Sequence, residues 1–136
     1  MNILVIDAQG GGIGKQLVTA IKKNVENAYI TAIGTNYLAT SAMLKAGADQ
    51  AATGENAIIV NSRKADVIVG PIGIVIADSL LGEITPAMAV AIGQSDAKRI
   101  LIPLNHCNNV VVGVPDLNIG RLIQGVVEEL NRTMCN

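Results

Sequence analysis

Short apolar runs alternate with amphipathic segments along the chain, the pattern of a parallel sheet with covering helices. Ile3 to Ile6 is unbroken apolar sequence ending at Asp7, as expected of a strand buried on both faces. Ile13, Leu17, Val18, Ile21 and Val25 then recur at helical spacing, with Lys15, Lys22, Lys23 and Glu26 off that stripe. Tyr29 to Ile33 reads as a second strand. Thr35 or Asn36 caps a helix from Tyr37 to about Lys45, which Gly47 closes. Ala51 and Ala52 form a short third strand, and Thr53-Gly54-Glu55-Asn56 opens a helix to about Arg63.

Asp66 to Gly70 is the fourth strand, and Gly73 to Leu81 reads as a buried helix despite its β-branched run. Thr85-Pro86 is a strong helix start, a capping hydroxyl followed by proline at the first helical position, for a helix ending near Ser95. Arg99 to Pro103 is the fifth strand. Asn109 to Val114, after the loop that starts at Asn105, is expected to return antiparallel as an edge hairpin. Asp116 caps a last helix with Ile119, Leu122, Ile123, Val126, Val127 and Leu130 on its apolar face. The expected fold is one α/β domain over residues 1–136, a three-layer Rossmann-like, mostly parallel sheet ordered 3-2-1-4-5-6 with an antiparallel edge strand.

Composition narrows this picture. Half of the 136 residues are apolar, with two Tyr and no Phe or Trp, so Ile, Val, Leu and Ala must build the core. Only 15% are charged, which excludes a disordered chain. A net charge of −1 gives no general affinity for nucleic acid or anionic membrane. The doublets Lys22-Lys23, Arg63-Lys64 and Lys98-Arg99 sit at or beyond helix C-termini, where they complement the dipole rather than form a nucleic-acid patch. The opening residues have no basic segment and meet an acid at Asp7, unlike a signal peptide. Cys107 and Cys135 match neither a CxxC nor a zinc pattern, so a cytoplasmic protein without a metal is expected.

Ligands of such sheets bind at the carboxyl ends of the strands, where strand order reverses. After the first strand comes Asp7-Ala8-Gln9-Gly10-Gly11-Gly12-Ile13-Gly14-Lys15, four glycines in five positions before a helix. They let the backbone approach a ligand and present helix N-terminal amides, which favour an anion. Thr35 and Asn36 follow the second strand, and Gly70-Pro71-Ile72-Gly73 ends the fourth. These residues, from Asp7 and Gln9 to Lys15, Thr35, Asn36 and 70–73, are the candidate cofactor-binding set. The ligand expected is a nucleotide or another phosphorylated or anionic small molecule. An adenine dinucleotide meets one difficulty: Gly34-Thr35-Asn36 lacks the acid that usually holds an adenosine ribose.

Asp7 either fixes the loop by accepting from its amides or touches the ligand. An enzyme using the same crevice would take Asp7 or His106 as its acid or base, and a non-catalytic structural or regulatory dimer would use the glycines for packing alone. His106 adjoins Cys107, but neighbouring residues point apart, and a polar hairpin loop accounts for both. Glu83 near Thr85 reads as part of a helix start.

The stretch from Gly10 to Lys15 looks like the GGxGK core of the ParA/MinD-like P-loop ATPases through Gly11, Gly12, Gly14 and Lys15. Gln16 stands where Ser or Thr would hold magnesium, and Gln9 where the distal glycine belongs. The stretch is also similar to the short-chain dehydrogenase loop through Gly12, Ile13 and Gly14, but Ala8 replaces its first glycine and no Tyr-x-x-x-Lys follows. Over nearly its full length the chain resembles a family of short, uncharacterised bacterial proteins, a domain of unknown function. That resemblance rests on the opening strand and glycine loop, and on Ala46-Gly47-Ala48-Asp49, Ala52-Thr53-Gly54-Glu55-Asn56-Ala57, Gly70-Pro71-Ile72-Gly73, Leu81-Gly82-Glu83-Ile84-Thr85-Pro86 and Ile100-Leu101-Ile102-Pro103. It implies a Rossmann-like fold and no particular activity.

High apolar content with little surface charge points to self-association as a two-fold dimer. Its expected surfaces are 86–92 and the adjoining 74–81. Sedimentation equilibrium at micromolar concentration should read twice the 14.1 kDa of one chain. A mass of one chain across the range removes the idea.

Overall fold

The computed structural model describes residues 1–104, 108–115 and 118–135. Strands β1 (Asn2–Asp7), β2 (Tyr29–Gly34), β3 (Gln50–Thr53), β4 (Val67–Pro71) and β5 (Lys98–Ile102) form a parallel sheet ordered β3-β2-β1-β4-β5. Helices α1 (Gly12–Asn24), α2 (Tyr37–Lys45), α3 (Glu55–Ser62), α4 (Pro86–Gln94) and α5 (Ile119–Met134) follow the strands in turn.

Alternation along each strand divides the core into two layers. Ile3, Val5, Val67 and Val69 face Leu17, Val18 and Ile21 of α1, Met43 of α2 and Val126 and Leu130 of α5. Leu4, Ile6 and Ile68 face Ile58 of α3 and Met88, Ala89 and Ile92 of α4. Because β1 and β4 are buried on both faces, they lack the polar alternation of an exposed sheet. Among the described residues no helix is long and apolar enough to cross a membrane.

Caps account for most helix starts. Asn36 accepts from the Ala39 amide at 3.0 Å, and Thr85 accepts from that of Met88 at 3.2 Å. Asn118 caps α5 by accepting from the Arg121 amide at 3.0 Å. The expected cap, Asp116, lies outside the described residues, as do Asn105, His106 and Cys107. At the sheet edge, Lys98 donates to Glu129 (2.7 Å) and Thr133 (2.9 Å) on α5. Arg99 donates to the Ser95 carbonyl at 2.7 Å, just past the end of α4.

Three expectations need correction. The described residues 108–115 form turns and coil, not a sixth strand. Val110 and Val112, the latter 92% exposed, have no sheet to bury them, and Gly113 at φ 83° turns the backbone away. Residues 73–81 do not form a helix: a single 3-10 turn covers Ile72–Val75, and tight turns follow. Left-handed backbone at Asp78 (φ 63°), Leu80 (φ 55°), Leu81 (φ 58°) and Gly82 (φ 84°) is incompatible with a right-handed helix. Finally, within the expected contact surface 86–92, Met88 points into the core at 4% exposure and is not available to a second copy. The exposed apolar residue of α4 is Val90, at 52%.

The turn segment bridges the carboxyl end of the sheet. Leu80 is buried beside Ala8 and Ile74, while Asp78 donates to the Ile84 carbonyl at 2.7 Å and Ser79 Oγ donates to the Gly73 carbonyl. Leu81 is 94% exposed, so no packing repays its left-handed backbone. Leu81→Gly should therefore stabilise the protein by about 0.5–1 kcal/mol, relief of steric strain exceeding the added chain entropy. Denaturant melts of the two proteins measure this. An unchanged or lower midpoint would show that the conformation is not strained.

Candidate functional site

The carboxyl end of β1 carries Asp7, 4% exposed. Its Oδ1 accepts from the Ala8 amide at 2.8 Å and its Oδ2 from the Gly14 amide at 2.6 Å. One side chain thus ties together both ends of the glycine loop. Burial pushes the Asp7 carboxyl above its ordinary range. The Gly14 and Ala8 amides pull against that, and the negative charge of Glu83 adds to it. The folded chain therefore holds this proton more tightly than the unfolded chain. Its stabilising contribution, fully present below the ordinary carboxylate range, is lost as pH rises through the raised value.

The loop's four glycines divide into two kinds. A Cβ at Gly14 would lie 2.6 Å from Met43 Sδ and 2.8 Å from Asp7 Cβ. At Gly11, with φ 74°, it would lie 2.7 Å from the Ala39 backbone. These two let α1 pack closely on β1 and α2. Gly10 and Gly12 have nothing within 4 Å of such a Cβ. No packing requires them to be glycine.

Helix α1 begins at this loop without a side-chain cap and with no acidic residue in its first turn. Gly14 donates to Asp7, Gly11 donates to the Ala8 carbonyl, and Lys15 to that of Gly11. Among the described residues the amides of Gly10, Gly12 and Ile13 have no acceptor. They border a cleft of about 160 Å³ lined by Asp7, Ala8, Gln9, Gly10, Gly11, Gly12, Ile13, Pro71 and Leu80.

The structure thus brings Asp7, residues 9–13 and Pro71 of the sequence-derived set to one cleft, with Ala8 and Leu80 added. Gly14, Lys15, Thr35, Asn36, Gly70, Ile72 and Gly73 do not line it. Gly70 serves packing: its Cβ would stand 2.5 Å from the Ile6 carbonyl oxygen, where β4 runs beside β1. Gly73 is pressed by Leu80 and Ser79 in the same way, at 3.2 Å. His106 lies outside the described residues.

Thr35 and Asn36 are engaged by a residue that sequence reading assigned to a helix start. Oε1 of Glu83 accepts from Thr35 Oγ1 at 2.7 Å, Asn36 Nδ2 at 2.8 Å and the Gln9 amide at 3.0 Å. Asn36 Nδ2 also donates to the Gln9 carbonyl at 2.9 Å. Burial alone would raise the Glu83 carboxyl. The bonds from Thr35, Gln9 and Asn36 outweigh it, and the net displacement is downward. Glu83 follows β4 in sequence but reaches the end of β2 because the 72–84 segment crosses over β1. The only sequence signal was an acid between Gly82 and the Thr85-Pro86 helix start.

A family described as a domain of unknown function (DUF3842) matches residues 2–135. The chain belongs to this family. In this member the glycine loop is paired with an acid from a distant turn. No curated protein matches the chain. Among solved structures it is similar to a dodecameric FMN-dependent Ubix-like decarboxylase from Escherichia coli O157:H7. The identity is 12% and the TM-score 0.45, over 100% of this chain and 95% of that one.

The division of the glycines is measurable by denaturation. Gly14→Ala should cost about 1–3 kcal/mol through overpacking against Asp7 and Met43. Gly12→Ala should stay within about 0.5 kcal/mol of the parent. Equal losses at both positions would contradict the assignment.

Proposed function

We propose that this DUF3842 chain, acting as one unit over residues 1–136, binds a nucleotide or another phosphorylated small molecule at the cleft above β1. The observation that carries this reading is the set of unpaired amides of Gly10, Gly12 and Ile13 at the uncapped start of α1. Amides exposed in this way are met by water until a ligand replaces it, and the helix dipole favours that ligand being an anion. Open space at Gly10 and Gly12 allows close approach to the backbone.

A carboxylate beneath the loop opposes an anion, and one feature reduces that opposition: both Asp7 oxygens are turned to loop amides, which meet its charge. At about 160 Å³ the cleft is smaller than the roughly 300–1,000 Å³ of whole-ligand pockets. It suits a phosphate group, with the rest of the ligand lying over the strand ends.

The same Asp7 geometry favours binding over catalysis. A raised proton affinity suits an acid–base group, but lone pairs held by two backbone amides are poorly free to exchange a proton with substrate. The dimer is placed on the outer side of α3 and α4, where Ile59, Ala87, Val90 and Ala91 line a groove together with Ser62, Arg63, Gln94 and Ser95. Its test is Val90→Glu, which should convert a dimer to single chains without unfolding them.

A thermal-shift screen of nucleoside phosphates, flavin mononucleotide, NAD and sugar phosphates tests the ligand class. At least one phosphorylated compound should raise the melting temperature, and its dephosphorylated form should not. Gly12→Ala should weaken binding about tenfold or more while leaving the apo melting temperature near the parent value. Indifference to every phosphorylated compound would overturn the reading.

A further inference from the structure

We propose that Glu83 is a ribose-binding carboxylate, so that the ligand is a nucleoside phosphate with free 2′- and 3′-hydroxyls. This inference rests on the cleft being a phosphate site.

In doubly wound sheets with a glycine loop after the first strand, an acid at the end of the second strand accepts from a ribose hydroxyl. The sequence puts Asn36 at that place and no acid. The fold supplies one from elsewhere. Glu83 stands at the end of β2, bonded to Thr35 Oγ1 at 2.7 Å and Asn36 Nδ2 at 2.8 Å. The same oxygen accepts from the amide of Gln9, at 3.0 Å, and Gln9 itself lines the cleft. The carboxylate is therefore beside the lip of the phosphate cradle.

All three bonds fall on Oε1. Among the described residues Oε2 has no hydrogen-bond partner. A carboxylate accepts through lone pairs on both of its oxygens, so Oε2 retains its capacity for hydroxyl donors. Three donors from two loops already fix the plane of the group, which lowers the entropy lost when a ligand binds. A carboxylate next to a phosphate cradle is unfavourable by itself, and a sugar diol is the neutral donor that can lie between them.

A purely structural Glu83, holding the 72–84 segment to β2, would make the same three bonds. Calorimetric titration separates the two roles, using the four ribonucleoside 5′-monophosphates, their 2′-deoxy counterparts and inorganic phosphate. At least one ribonucleotide should bind about tenfold or more tighter than its deoxy partner, since a bond to a charged acceptor is lost. Glu83→Gln keeps an oxygen for the three internal donors and replaces Oε2 by an amide. It should reduce the preference to within about threefold while inorganic phosphate binds no more weakly. Equal binding of ribo and deoxy partners by the parent protein, which needs no variant, overturns the ribose assignment and leaves the phosphate site standing. So does a preference that survives Glu83→Gln. If neither nucleotides nor inorganic phosphate bind, the phosphate site fails, and the ribose assignment with it.

Discussion

The geometry of the carboxyl edge depends on a buried carboxylate accepting two backbone hydrogen bonds. Asp7 ends β1 where Ile6 and the strands on either side have already excluded water, and its charge must be met locally. It is met by the amides of Ala8 and Gly14, six positions apart at the two ends of the loop. That pair of bonds sets the height of α1 above the sheet and turns the amides of its first residues outward. It also explains why the loop is rich in glycine at two levels. Gly14 must lie against the Asp7 side chain it donates to, and Gly11 must pass the backbone of α2. Gly10 and Gly12 satisfy neither need, and the space beside them is the cleft.

The second constraint is the segment after β4. An ordinary strand-to-helix turn would leave the crevice between β1 and β4 open. Here the chain crosses β1, buries Leu80 next to Ala8 and ends on β2 through Glu83. The left-handed residues Asp78, Leu80 and Leu81 bend the chain across this distance, and its internal bonds around Ser79 and Ile84 keep it bent. The candidate site is consequently assembled from loops after three different strands.

Much of the fold was legible because burial on both faces leaves a plain trace. Ile3 to Ile6 and Val67 to Val69 could hardly be anything but central strands, and Thr85-Pro86 announced its helix by capping chemistry alone. Two apolar stretches misled for one reason: apolarity reports burial or its expectation, not conformation. Ile74-Val75-Ile76 is consistent with helix, strand or turn, and nothing at Asp78 or Leu81 marks left-handed backbone as glycine or asparagine would. Val110-Val111-Val112 has the composition of a strand but no neighbour to pair with. At the site, the β1 loop was readable because its residues are contiguous. The role of Glu83 was not, since its partners Gln9, Thr35 and Asn36 are between 47 and 74 positions away.

The outer strands carry a consequence for how copies of this chain can meet. Unpaired strand edges are templates for adding another strand. At one side β5 begins with Lys98 and Arg99, whose side chains are drawn away to α5 and to the carbonyls beyond α4. At the other, β3 is four residues long with Gln50 and Thr53 exposed. Charge at one margin and brevity at the other make lateral growth of the sheet unfavourable. Any association between copies is thereby directed away from the sheet margins and onto the helix faces.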